Sequence, residues 1–111
     1  MFDQAELSVF EYGDFEIIDI SKEHIEIKSN ATNQYWLIQK ITSSGFPPVV
    51  LFHKHTASGK YHVHFVYDKD NALLAYSEIR QHDRYILKRD KKRNSITKKT
   101  NLQLLQAADC I

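Results

Sequence analysis

The chain has 111 residues, 42% of them apolar and 26% charged, with a net charge of +1. These values fit one folded domain that buries roughly 65% of the surface of its unfolded chain, and they exclude collagen-like, fibrous and wholly disordered classes. The longest apolar run, Ala72 to Tyr76, falls far short of the roughly 20 residues a bilayer span needs, and the first ten residues carry Asp3 and Glu6 where a secretory signal carries positive charge, so no membrane contact and a cytoplasmic location are expected.

In chain order, Met1 to Gly13 fits either a helical turn or an edge strand. From Phe15 the dominant pattern is alternation with a period of two, the mark of half-buried strands. A turn over Ser21 to His24 between Phe15–Ile20 and Ile25–Lys28 sets Ile20 opposite Ile25 and Ile18 opposite Ile27, all on one face. Ile17, Asp19, Glu26 and Lys28 then fall on the other. Ser29 to Gln34 reads as a turn, and Tyr35 to Ile41, rich in aromatic and β-branched residues, as a third strand. The sequence SSGFPP over Ser43 to Pro48 excludes regular structure, because proline fixes φ and lacks a donor. Val49 to His55 and Tyr61 to Asp68 complete an antiparallel meander of about five strands.

The period then lengthens. Ala72, Ala75, Tyr76, Ile79, His82 and Ile86 recur at spacings of three and four, the stripe of an amphipathic helix, with Asp70 or Asn71 suited to cap it. Tyr85 to Leu87 also suits a short strand. Arg89 to Thr100 shows no periodicity and reads as a solvated connection, and Thr100 with Gln103 is a weak capping box for a short terminal helix. The expected fold is α+β: the meander with one main helix on one face, a single domain over residues 1–88, and a basic connection with a short helix or tail over residues 89–111.

Six histidines are present, four of them in two H-x-H pairs, His53 with His55 and His62 with His64. Alternate residues of a strand share a face, so a two-residue turn at Ser58 and Gly59 would oppose His55 to His62 and His53 to His64, gathering four imidazoles able to bind zinc, copper or nickel. That turn requires positive φ at Ser58. A type I turn over Ala57 and Ser58 with a left-handed Gly59 asks nothing unusual, and pairs His55 with Tyr61, His53 with Val63 and Phe52 with His64. In this register His62 and His64 leave the face of His53 and His55. No metal or other cofactor is therefore expected, with His53, His55, His62 and His64 as the alternative set.

No catalytic signature stands out. His82 and Asp83 are adjacent, and consecutive helical side chains diverge. Cys110, the only cysteine and next to last in the chain, excludes an intrachain disulfide and a cysteine-based zinc framework, and has no neighbours in sequence suited to activate it. The charge distribution is more informative. Met1 to Gln34 holds eight acids against two lysines, and Arg84 to Lys99 holds eight bases against Asp90. Arg84, Lys88, Arg89, Lys91, Lys92, Arg93, Lys98 and Lys99 form a cationic strip of the kind that displaces counterions from nucleic acid or another polyanion. Tyr35, Trp36, Phe52 and Tyr61 could add stacking if their sheet face is open, although core packing is the expectation for Trp36 and Phe52. The expected role is non-catalytic binding of nucleic acid or another polyanion. The alternative is a protein partner, including a second copy of the chain. The two separate on whether the strip is neutralised by the acids between Asp3 and Glu26.

Overall fold

The computed structural model describes residues 1–11, 13–41 and 45–109, with side-chain surroundings as far as Lys92. Its elements are α1 (Gln4–Glu11), β1 (Phe15–Ile20), β2 (His24–Ser29), β3 (Tyr35–Lys40), β4 (Val49–Lys54), β5 (His62–Tyr67) and α2 (Leu73–Asp109). The five strands pair antiparallel in the order β1-β2-β3-β4-β5. Both helices lie on one face. The α+β meander expected from the alternation is the observed fold, and among the described residues no helix is long and apolar enough to cross a membrane.

The core follows from the alternation. Ile25, Ile27, Trp36, Ile38, Val49 and Leu51 point to the helix side and are fully buried against Phe10, Ala72, Ala75 and Ile79. The small side chains of Ala72 and Ala75 let α2 approach closely, and Phe10, Phe15 and Tyr76 close the seam between α1, β1 and α2 with ring centroids about 6 Å apart. Gly13, at φ +82°, takes the left-handed conformation that turns the chain out of α1.

Three local readings are corrected. Ile17, not Ile18, stands opposite Ile27, because β1 carries a bulge between Ile17 and Asp19. Ile17 thereby packs against the core and Ile18 is left 45% exposed. The β4–β5 register begins as expected, with Val49 opposite Tyr67 and Leu51 opposite Phe65, then slips by one residue. Phe52 meets Val63 and His53 meets His62, leaving His64 as the extra residue of a second bulge. The turn itself forms, with the Gly59 N–H donating to the Thr56 carbonyl at 3.1 Å, but Gly59 is not left-handed. Its role is steric: a Cβ there would stand 3.1 Å from Thr56 Oγ1. Finally, α2 has no break at Arg89, where a connection was expected. The whole span Leu73–Asp109 lacks glycine and proline and is rich in good helix formers. Helix-forming residues continue the backbone helix without a periodic apolar pattern, because a helix needs no such pattern to form.

One buried carboxylate joins three of these elements. Asp3 and Glu6 form a capping box, Asp3 N–H donating to Glu6 Oε1 and Glu6 N–H to Asp3 Oδ1, each at 2.8 Å. Glu6 Oε1 also accepts from Lys40 Nζ at 2.6 Å on β3, and Glu6 Oε2 from the Ala72 N–H at 2.7 Å, just ahead of α2. Lys40 Nζ reaches Asp70 Oδ1 at 3.2 Å. Glu6 is 1% exposed and Lys40 4%, so neither charge has water to fall back on. Burial pushes the Glu6 carboxyl up, but the Asp3 N–H, the Lys40 ammonium and the Ala72 N–H outweigh it and hold it below its ordinary value near 4.5. Burial likewise lowers the Lys40 ammonium, and Glu6 and Asp70 more than reverse this, holding it above its ordinary 10.5. The carboxylate's contribution is therefore full above about pH 4.5 and lost as pH falls through its depressed value, whereas the ammonium's is full at neutral pH and lost only in strong base.

Removing one partner of such a pair strands the other charge, at a cost of about 3–5 kcal/mol. Glu6→Ala is expected to lower the urea unfolding free energy by about that amount, and a loss below about 1 kcal/mol, the range of surface pairs, would contradict the assignment.

Candidate functional site

Two features of α2 invite chemistry, one on each side of the helix. The outer side is cationic. At 100° per residue, Arg84, Lys88, Lys91 and Lys92 share an arc of about 100°, opposite the stripe of Ala75, Ile79 and Ile86 that faces the core. All four cations are exposed. Of the eight N-terminal acids, three pair with basic side chains outside this arc: Glu6 with Lys40, Asp14 with Arg80 at 2.8 Å, and Asp19 with His24 at 2.8 Å. Among the described residues no ion pair involves Arg84, Lys88, Lys91 or Lys92. Arg89 is half-buried beside the arc, with its Nε 3.6 Å from Asp90 Oδ1. The side chains of Arg93, Lys98 and Lys99 lie outside the described residues, as does Cys110.

The inner side of α2 closes a cage of aromatic rings. Trp36, fully buried on β3, stacks on His53 with centroids 4.0 Å apart and receives the edges of His82 at 5.0 Å and His64 at 5.1 Å. His53 in turn lies 4.8 Å from both His82 and His55 and 5.8 Å from His64, and His64 lies 5.7 Å from His82. The imidazoles that the expected register separates are thus largely reunited, because the β5 bulge returns His64 to the helix side. His62, opposite His53 on the sheet edge, is exposed and outside the cage, and His82 takes the fourth place.

The proposed metal set of His53, His55, His62 and His64 is not assembled, and among the described residues no group of three or more potential ligands has metal-binding geometry. His53 Nε2 is turned to Gln34 Oε1 and His64 Nε2 to Glu78 Oε1 at 3.0 Å, while among the described residues neither the buried Nδ1 of His82 nor the indole N–H of Trp36 has a partner. Burial and the neighbouring imidazoles push His53 down to about 3. Burial and His64 lower His82 too, against an opposing pull from Asp83 and Glu78. Both rings are neutral at pH 7.

Next to the cage, Asp83 is a buried carboxylate with a structural role. It accepts from Ser29 Oγ at 2.6 Å and Thr32 Oγ1 at 3.0 Å, pinning α2 to the β2–β3 turn, where Asn33 supplies the left-handed residue at φ 59°. Asp83 turns to Ser29 and Thr32 while His82 packs into the cage, so the dipeptide forms no dyad. On the opposite sheet face, Tyr35 and Tyr61 hold the Lys54 ammonium at 5.1 and 4.6 Å from their ring centroids, and the Tyr61 hydroxyl donates to Glu26 Oε2 at 2.7 Å. With Trp36 buried as expected and Phe52 half-buried, this face presents few rings free to stack on bases.

Comparison with protein-family models finds no match, and neither does comparison with curated proteins or with solved structures.

Hydrogen bonds to a buried charge contribute about 1.5–3 kcal/mol, and a typical neutral one about 1. Asp83→Ala is expected to lower stability by about 2–3 kcal/mol and Thr32→Ala by about 1, measured by urea denaturation. Equal, small losses for both would show that the carboxylate does not hold the helix.

Proposed function

We propose that the protein is a non-catalytic binder of polyanions, nucleic acid foremost, and that the outer arc of α2 is its contact surface, acting in the cytoplasm. The observation that supports this is the set of four exposed cations on one side of one helix, none of them engaged by the protein's own acids among the described residues. A rigid helix holds these cations in a fixed line of about 12 Å from Arg84 to Lys92. Such a line meets phosphates without reading bases, so binding would be salt-sensitive and largely indifferent to sequence. Tyr85, exposed beside the arc, adds a ring that can stack on an unpaired base.

Each phosphate contact contributes about 0.9 to the slope of log K against log salt on duplex DNA. The triple variant Lys88→Gln, Lys91→Gln, Lys92→Gln is expected to flatten that slope by about 2.7 in fluorescence anisotropy. An unchanged slope, or no binding by the intact chain at low salt, would retire the reading.

A second reading, a protein partner or a second copy of the chain, draws on a different observation. β5 is an edge strand without a charged residue or proline, and it leaves Val63, Phe65 and Val66 exposed. Sheet edges of this composition accept added strands unless a charge blocks them. If β5 pairs between copies, sedimentation will show a dimer that Val63→Lys with Val66→Lys converts to monomer. A monomer at all concentrations would exclude self-pairing.

A further inference from the structure

The Trp36 cage has no part in polyanion binding, yet its composition is costly. Three imidazoles, from β4 (His53), β5 (His64) and α2 (His82), crowd around one indole, and His55 lies against His53 at the exposed rim, with neighbouring imidazole centroids 4.8–5.8 Å apart. Neutral, these rings pack as ordinary aromatic groups. Charged, they repel one another at close range in a site with little water. We propose that the cage is an acid-released latch, holding β4 and β5 against α2 while its imidazoles are neutral and letting this end of the helix separate from the sheet when they take up protons.

The surrounding charges decide how much protonation the closed cage tolerates. α2 offers Glu78 and Asp83. β3 supplies Trp36, with Gln34 just before it, and β2 supplies Ser29. Among the described residues α1 and β1 place no charge against the cage. His64 Nε2 has the Glu78 carboxylate 3.0 Å away. A proton on His53 faces only the Gln34 amide and three other imidazoles. Asp83 is the nearest carboxylate in sequence to His82, but its two oxygens already accept from Ser29 and Thr32. Beyond the first proton, further uptake therefore has little compensation unless the rings move apart and admit water.

The direction with pH follows. His53, held down to about 3, and His82, held below its ordinary 6.5, are less basic in the closed cage than in water. The open state then binds protons first as pH falls below about 6.5, so the latch is fully closed above that value and weakens progressively toward 3. The Glu6 anchor, at the opposite end of β3, depends on a carboxylate held below 4.5 and stays charged through the upper part of this range. Between about pH 6.5 and 4.5 the cage end opens while the anchored end holds.

Trp36, the only tryptophan, reports directly on the cage. In the full chain its fluorescence is expected to shift to the red between pH 6.5 and 4.5, over a range narrower than one proton allows, while the far-ultraviolet circular dichroism of the strands and helix is retained. His82→Gln is expected to move the midpoint to lower pH by about half a unit or more, since one proton fewer drives opening. His24→Gln, far from the cage and paired with Asp19, should leave it unchanged. Should His82→Gln fail to fold, His53→Gln, which removes the other imidazole held below its ordinary value, makes the same comparison. No red shift above pH 4.5, a shift that coincides with loss of the far-ultraviolet signal, or a midpoint indifferent to the cage variants would each overturn the proposal.

Discussion

The Glu6 carboxylate fixes the geometry on which everything else stands. It caps α1 from within, neutralises Lys40 at the end of β3 and accepts the Ala72 N–H just before α2 begins. An oxygen pair buried at this depth must find donors, because the cost of an unpaired buried charge exceeds that of almost any other single defect. The donors it finds come from three separate parts of the chain, so their relative positions follow from one requirement. With its start held there, α2 can only run across the sheet toward Trp36, which turns Ala75, Ile79 and Ile86 inward and Arg84, Lys88, Lys91 and Lys92 outward.

The two faces of α2 then inherit different physics. The inner face must bury whatever the sheet offers, and toward the β4–β5 hairpin it offers imidazoles in place of aliphatic groups, so the interface there is tight only while those rings are neutral. The outer face has no such constraint, and its cations remain hydrated. Continuing to Asp109 with about 1.5 Å of rise per residue, α2 spans about 55 Å against roughly 20 Å for a six-residue strand, and the molecule measures 71 × 27 × 24 Å. The helix thus extends beyond the sheet, and among the described residues Arg84, Lys88, Lys91 and Lys92 make no ion pair with the acidic first third.

Much of this was legible in the sequence. Alternation located all five strands, and the spacing of Ala72, Ala75, Ile79, His82 and Ile86 located the inner face of α2. What escaped was decided by single residues in three dimensions. Alternation assumes an unbroken ladder, so the bulges at Ile18 and His64 reversed the expected faces beyond them. Hydrophobic periodicity follows burial and not backbone conformation, so the part of α2 after Arg89, which lacks that periodicity, read as a connection. The histidine cage was within reach, because His82 sat on the buried stripe and His53 on the face of Trp36, but seeing it required crossing the helix pattern with the sheet pattern. The Glu6 anchor carried one local sign, the Asp-x-x-Glu spacing of a capping box at Asp3 and Glu6. Nothing in the sequence joins that box to Lys40 or Ala72.

The central functional claim is that anions meet the outer arc of α2 and not the sheet. Titrating the isotope-labelled chain with a short DNA duplex and following backbone amide resonances tests this most directly. The account predicts shifts concentrated at Arg84, Lys88, Lys91 and Lys92 that vanish at high salt, with Tyr35, Phe52 and Tyr61 unmoved. Shifts centred on the β3–β5 face, or none anywhere at low salt, would contradict it.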